Sequence, residues 1–444
     1  MGRGLDRSFQ RQIRRINMID KIETVAILGA SGTVGSLAGG VIAQQGIKVY
    51  FLSRTCQGAE KGLKRAMAQA RSEVIASNIV CGDYDHLLED ALKDADLVIE
   101  SVSENLAIKQ QMYQLVDQYK KSDTIVGTTT SSLPLTELPK GRSENFRRTF
   151  LSTHFYNPPG KMLACEISSQ PDTDPDVLEF MKDFLKNKLR RVVIPVRNVA
   201  GFAGNRIAFL LFNRIATLAA TYGVEMMDYL IGPYTGRAMP PLATIDLVGM
   251  DIHRAIIQSL YENTHDEMHH SLVPPDYIDK MIENGLLGNK TKGGFYKKLE
   301  SGKYTFLDPA TCDYIPSIKP HVAFVEKTKN FIHLGRYRQA FETIMDTTKI
   351  EAEIVKDILC LYVSYSFSRV GEVTEEQYGI AEIDRVMASG FNWAPPSLIV
   401  DMLGGKKDVI ELLEKKDFAV PDSLRNFNED IQKPHNWGKY FIAR

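Results

Sequence analysis

The chain has 444 residues, long enough for two to four domains of ordinary size. Its 54 Lys and Arg against 55 Asp and Glu leave a net charge of −1, so no global field draws it to nucleic acid or to an anionic membrane. No apolar run reaches the roughly 18 residues of a membrane helix, and five cysteines without C-x-x-C or zinc spacing suit the reducing cytoplasm better than a disulfide framework.

Residues 1–20 carry Arg3, Arg7, Arg11, Arg14 and Arg15 with few apolar partners and read as a disordered extension. A β-branched run at 24–28 then flows into Gly29-Ala30-Ser31-Gly32-Thr33-Val34-Gly35 and a helical pattern to residue 45, followed by a strand at 49–52. Strand, glycine loop, helix and strand make a dinucleotide-binding unit. In such a turn the glycines let the backbone approach a pyrophosphate, and the helix N-terminus holds its charge. Gly29, Gly32, Thr33, Val34 and Gly35 are therefore candidate phosphate ligands, although G-x-x-G-x-x-G has one more residue before its second glycine than the usual loop. Where an acid normally binds the adenosine ribose stand Ser53 and Arg54, which suit a 2′-phosphate and favour NADP over NAD.

The alternation continues with a helix at 59–76, a strand at 97–101, a helix at 106–118 and a strand at 124–127, the pattern of a doubly wound parallel sheet. Ligands of such sheets bind at the carboxyl ends of the strands. Those ends are polar here, with Glu100 to Asn105 after one strand and Thr128 to Ser132 after the next, so both clusters are expected to face one crevice. His154 ends a later β-rich run, and Glu166 lies in another beyond the turn Asn157-Pro158-Pro159-Gly160. If that turn lays the two runs side by side, the carboxylate fixes the imidazole tautomer and leaves the other nitrogen to act as a base.

After residue 198 the composition turns helical, with Gly201-Phe202-Ala203-Gly204-Asn205-Arg206 opening a long apolar helix to 222. Pro240, Pro241, Asp246 and Gly249 return as Pro395, Pro396, Asp401 and Gly404, each 155 residues on, which marks an internal repeat. The expected fold is an α/β Rossmann-like doubly wound sheet domain over 21–198 followed by two related all-α domains, 199–300 and 321–444, with a linker at 301–320.

Taken together, Glu104-Asn105-Leu106-Ala107-Ile108-Lys109, Ser131-Ser132-Leu133-Pro134, His154-Phe155-Tyr156-Asn157-Pro158, Gly201-Phe202-Ala203-Gly204-Asn205-Arg206 and the segment Lys290 to Tyr296 resemble, in order, E-N-L-x-x-K, S-S-L-P, H-F-F-N-P, G-F-x-x-N-R and K-T-x-x-G-F-Y of the 3-hydroxyacyl-CoA dehydrogenase family. The resemblance covers residues 22–298 and, more faintly, 336–404. It implies reversible oxidation of an (S)-3-hydroxyacyl-CoA by hydride transfer to NAD or NADP, with His154 as the catalytic base and Glu166 as its orienting partner. Ser131 and Asn205 would hydrogen-bond the substrate's 3-oxygen and the surroundings of the histidine, and Glu104 and Lys109 would sit beside the nicotinamide ribose. Two rival readings keep the fold. One is a dehydrogenase of a small hydroxy acid of the sugar-acid or carnitine type, and the other a silent nucleotide-binding protein. Lys61, Lys64 and Arg65 are weak candidates for holding CoA. Because short members of the family dimerise through the helical domain, the repeat implies a monomer whose second copy covers that surface internally.

Overall fold

The computed structural model describes residues 22–429 and 437–443, so the extension expected over residues 1–20 lies outside the described residues. The chain divides between Val199 and Ala200 into two compact units.

In the first unit β1 (Thr24–Leu28), β2 (Lys48–Ser53), β3 (Ile79–Asp83), β4 (Leu97–Glu100), β5 (Ile125–Thr128), β6 (Phe150–Phe155), β7 (Ala164–Ser169) and β8 (Val192–Pro195) form one sheet, ordered β3-β2-β1-β4-β5-β6-β7-β8. Strands β1 to β6 are parallel. β7 runs antiparallel to β6 and carries β8 parallel to itself. Helices α1 (Thr33–Ala43), α2 (Cys56–Ala70), α3 (Tyr84–Asp94) and α4 (Leu106–Tyr119) connect the parallel strands, while α5 (Glu144–Thr149) precedes β6 and α6 (Pro175–Asp183) precedes β8. Every residue of β1, β4 and β5 is buried, as expected for parallel strands covered on both faces.

The helix expected over 59–76 is shorter than that. It stops at Ala70 with Arg71 in the left-handed conformation, and β3 and α3 fill the interval before β4. β3 escaped the sequence reading because, as the edge strand, it is only partly buried and ends in Gly82 and Asp83 rather than forming an apolar run.

The second unit contains α7 (Gly204–Tyr222), α8 (Val224–Leu230), α9 (Pro241–Val248), α10 (Met250–Asn263) and α11 (Tyr277–Glu283). A three-stranded sheet of β9 (Tyr296–Lys298), β10 (Tyr304–Leu307) and β11 (Tyr314–Pro316) follows. Then come α12 (Ala323–His333), α13 (Tyr337–Asp346), α14 (Ile350–Ser368), α15 (Ala381–Gly390), α16 (Pro396–Met402), α17 (Lys406–Lys415) and α18 (Asp422–Arg425). The linker expected at 301–320 is thus corrected: its residues build two of these three strands, held at one end by Glu225, whose carboxylate accepts from the backbone of Ile318 at 2.6 Å. Strands of three or four residues separated by turns carry too little periodicity to read. The two helical copies, expected as separate domains, belong to one unit.

The two repeated segments begin their helices in similar ways. Buried Asp228 accepts from the backbone of Leu242 and Ala243 at the start of α9 (2.8 and 2.9 Å), and Asp384 accepts from the backbone and hydroxyl of Ser397 at the start of α16 (3.1 and 2.6 Å). Gly249 and Gly404 share a φ of 106°, where a side chain would be strained. The copies meet at an antiparallel bridge between Arg237 and Trp393, with Ala394 N donating to Gly236 O at 2.7 Å. On the repeat's spacing Trp393 corresponds to Ala238 and Ala394 to Met239. Residue 237 therefore faces the counterpart of 238, and 236 the counterpart of 239.

Candidate active site

The glycine loop joins β1 to α1. Gly29 has φ 85°, and a Cβ there would lie 2.3 Å from Ser101 O, so only glycine lets the loop pass this close to the end of β4. Helices α2, α3 and α4 are each capped by a side chain, with Thr55, Asp83 and Asn105 accepting from backbone N–H groups at 3.1, 3.0 and 3.1 Å. α1 differs. Gly32 at its N-cap has no side chain to offer, so among the described residues the first-turn N–H groups, including those of Thr33 and Val34, keep no side-chain capping oxygen. A helix start left uncapped behind a glycine turn fits a dinucleotide pyrophosphate. The Arg65 guanidinium, one of the CoA candidates, instead straps the loop, donating to Ser31 O, Gly32 O and Ser36 Oγ at 3.2, 3.1 and 3.0 Å.

At the end of β2 the Ser53 hydroxyl donates to Thr55 O at 2.7 Å, and Ser53 is almost wholly buried, so it shapes the turn. Arg54 is exposed and makes no ion pair among the described residues. The Gly29 N–H reaches the Tyr84 hydroxyl at 2.9 Å, and burial pushes that phenol up to about 12.

The two polar strand ends come together as expected. Glu100, fully buried at the end of β4, accepts from Val102 N and Lys109 Nζ at 2.7 Å each, from Thr128 Oγ1 at 2.8 Å and from Tyr113 Oη. Lys109 is 1% exposed and also lies 3.2 Å from Glu104, so it is an internal cation and not a solvated charge. Glu104 accepts from Ser132 Oγ at 2.6 Å and from Thr130 Oγ1. Burial works to raise the Glu104 carboxyl, but the Lys109 ammonium and the two hydroxyls outweigh it, and the group is held below its ordinary value. Glu100, the centre of the network, was legible in the sequence only as the first residue of a polar strand end. Its only signal is a charge ending the apolar strand Leu97-Val98-Ile99.

The hairpin of β6 and β7 sets His154 directly opposite Glu166. His154 Nδ1 lies 2.8 Å from Glu166 Oε2, with the imidazole 12% exposed and the carboxylate fully buried. The Tyr156 hydroxyl donates to the same oxygen at 2.7 Å, and its ring stands edge-on to the imidazole at 4.9 Å between centroids. Tyr156 was missed. Its signal was the tyrosine in His154-Phe155-Tyr156 where the family motif has phenylalanine. Arg191 steadies the intervening turn, donating to Pro159 O at 2.6 Å. Ser131 follows β5, the immediate neighbour of β6. Asn205 belongs to the second unit, as the second residue of α7.

These features have counterparts in known proteins. The family model described as 3-hydroxyacyl-CoA dehydrogenase, NAD binding domain, matches residues 24–199, and that of the C-terminal domain matches residues 201–298. A 3-hydroxybutyryl-CoA dehydrogenase of Clostridioides difficile is 31% identical over 291 residues, covering 61% of this chain and 98% of that protein. The chain belongs to the 3-hydroxyacyl-CoA dehydrogenase family. A probable 3-hydroxyacyl-CoA dehydrogenase of Bacillus subtilis strain 168 is 30% identical over 456 residues, which cover 95% of this chain. The chain spans only 56% of that relative's length. Among solved structures, the 3-hydroxybutyryl-CoA dehydrogenase from Escherichia coli K12 superposes with a TM-score of 0.66 over 89% of this chain and 94% of its own, and at 19% identity this likeness shows the shared fold. The sheet unit is accordingly a nicotinamide-cofactor domain. No helix among the described residues is long and apolar enough to cross a membrane.

Proposed function

We propose that the protein reversibly oxidises an (S)-3-hydroxyacyl-CoA to the 3-oxoacyl-CoA, with His154 as general base. The observation that carries this reading is the 2.8 Å contact of His154 Nδ1 with buried Glu166. With the Nδ1 proton committed to the carboxylate, the basic lone pair of the neutral imidazole is on Nε2, which takes the substrate's hydroxyl proton. Glu166 holds the tautomer and stabilises the imidazolium that forms, while the family resemblance assigns to Ser131 and Asn205 the hydrogen bonds to the 3-oxygen and to the surroundings of the histidine. The chemistry that a nicotinamide supplies when bound is acceptance of a hydride at C4. Gly29, Gly32, Thr33, Val34 and Gly35 hold the pyrophosphate, and Glu104, kept anionic by Lys109, accepts from the nicotinamide ribose.

For the cofactor we favour NADP(H) at least equally with NAD(H), because no acid follows β2 and Arg54 stands exposed there. Ser53, spent on its own turn, contributes less than its position promised. We place the protein in the cytoplasm, in keeping with its five free thiols. We also favour a monomer, because the two helical copies already meet within one chain at the bridge between Arg237 and Trp393.

Reduction of acetoacetyl-CoA, followed by loss of absorbance with NADH and with NADPH, tests the reading. Turnover is expected with both cofactors. Turnover of a sugar acid or carnitine in place of the thioester would establish the small-acid reading, and binding of nucleotide without any turnover would establish the silent one.

A further inference from the structure

The glycine loop is met from one side by a residue that the strand, loop and helix pattern does not supply. Tyr84 opens α3 directly after β3, and its hydroxyl lies 2.9 Å from Gly29 N. β2 stands between β3 and β1 in the sheet, so this side chain reaches across the carboxyl end of β2 to the start of the loop. That strand end is where a dinucleotide fold ordinarily sets an acid against the adenosine ribose. Here it carries Ser53, whose hydroxyl is committed to Thr55 O.

Closing the loop does not account for the phenol. The Gly29 N–H also donates to Leu52 O at 3.0 Å, so it is satisfied without the hydroxyl. In accepting from Gly29 the hydroxyl keeps its own proton, which has no acceptor among the described residues. Burial raises the Tyr84 phenol to about 12 and the nearby charge of exposed Arg54 works the other way, so the group is protonated at neutral pH and lies close to that guanidinium. Asp83, the acid beside Tyr84 in the chain, is taken up by the start of α3, accepting from His86 N at 3.0 Å and meeting His86 Nδ1 at 2.7 Å. The ends of β2 and β3 thus offer two donors, a phenol O–H and a guanidinium, where the usual fold offers an acceptor.

We propose that Tyr84 is a specificity-determining residue for the cofactor, its O–H donating to the oxygen at the 2′ position of the adenosine ribose in place of the usual acid. That oxygen is a hydroxyl in NAD(H) and belongs to a phosphate in NADP(H). This rests on the reading of the glycine loop as the holder of the cofactor's pyrophosphate. A carboxylate at this place repels a 2′-phosphate, whereas a neutral O–H donor accepts either oxygen and favours the charged one, because hydrogen bonds to ionised acceptors are roughly twice as strong.

Calorimetric titration of the full chain with adenosine 2′,5′-bisphosphate, 5′-AMP and NADPH tests this in wild type, Tyr84→Phe and Gly32→Asp. The first two ligands carry no pyrophosphate and so do not report on the shape of the loop. Tyr84→Phe is expected to raise the Kd of the bisphosphate by about ten-fold and that of 5′-AMP by about three-fold. An unfolded fraction lowers the number of sites and not the Kd, so the comparison holds even for a less stable variant. Wild-type Kd values for both fragments in Tyr84→Phe, whether or not NADPH weakens, would overturn the proposal and leave Tyr84 a prop of the loop. Gly32→Asp sets a capping carboxylate on the first turn of α1, where the pyrophosphate is expected, and should abolish NADPH binding. If it does so while Tyr84→Phe binds the fragments as wild type does, the proposal alone falls. Wild-type NADPH affinity in Gly32→Asp would overturn the role of the loop and the proposal with it.

Discussion

Glu100 and Glu166 are two fully buried carboxylates in one sheet, and their surroundings give them different work. Glu100 meets the ammonium of Lys109, one backbone N–H and two hydroxyls, so its charge is matched by a permanent cation and its lone pairs are filled by groups that do not move. Glu166 shares one oxygen between the Tyr156 hydroxyl and the His154 imidazole. A buried carboxylate is structural when its partner is a fixed cation, and it can serve chemistry when its partner is an imidazole able to take up and release a proton.

The comparison breaks most visibly at Glu100. Glu100→Gln strands the Lys109 ammonium at 1% exposure, and we expect a loss of about 3–5 kcal/mol in urea unfolding. A loss under about 1 kcal/mol would show that Glu104 alone matches that cation.

His253 offers the opposite control, burial without a carboxylate. It is fully buried against Phe209, with neither ring nitrogen hydrogen-bonded among the described residues, and burial lowers its imidazole to about 3. The unfolded chain binds a proton below about pH 6.5 that the native state refuses until about pH 3. Native stability from this group is therefore complete above pH 6.5 and falls as the pH drops through that window. His253→Leu should be more acid-stable than wild type by a few kcal/mol near pH 4, with the two curves converging above pH 7. Parallel curves would show that His253 is solvated or paired in solution.

Glu166→Gln sharpens the other side. It keeps a hydrogen-bond acceptor for Nδ1 but removes the charge opposite the imidazolium, and kcat should fall by about 10–100-fold with stability nearly unchanged. The smallest effect is expected at Tyr156→Phe. Restoring the family's phenylalanine removes one donor from Glu166, for a change of a few-fold in kcat and about 1 kcal/mol in stability. A Tyr156→Phe loss as large as that of Glu166→Gln would place the phenol in the chemistry itself.

The parts legible in the sequence were those whose signal is local. The glycine turn was readable because a strand and a helix flank it, and the pairing of His154 with Glu166 because a Pro-Pro-Gly turn separates two short β-rich runs. The repeat was readable because Pro, Asp and Gly recur at one spacing. What stayed hidden depends on residues distant along the chain. The burial of Glu100 is tolerable only because Lys109, Tyr113 and Thr128 converge on it, and buried Arg206 meets Tyr365 and Glu372 from the other helical copy. β3 and the strands of the supposed linker were lost because three to five residues at an edge, or between turns, carry too little periodicity. Ser53 was overvalued because the composition of a strand end does not reveal that its hydroxyl closes a local turn.

The central claim is that His154 moves the proton and leaves cofactor binding to other residues. Its most direct test is His154→Gln, with kcat for acetoacetyl-CoA reduction measured beside the Kd of the reduced cofactor by fluorescence. The account predicts a fall in kcat of about 10²-fold or more with Kd unchanged, and a variant that turns over at the wild-type rate would contradict it.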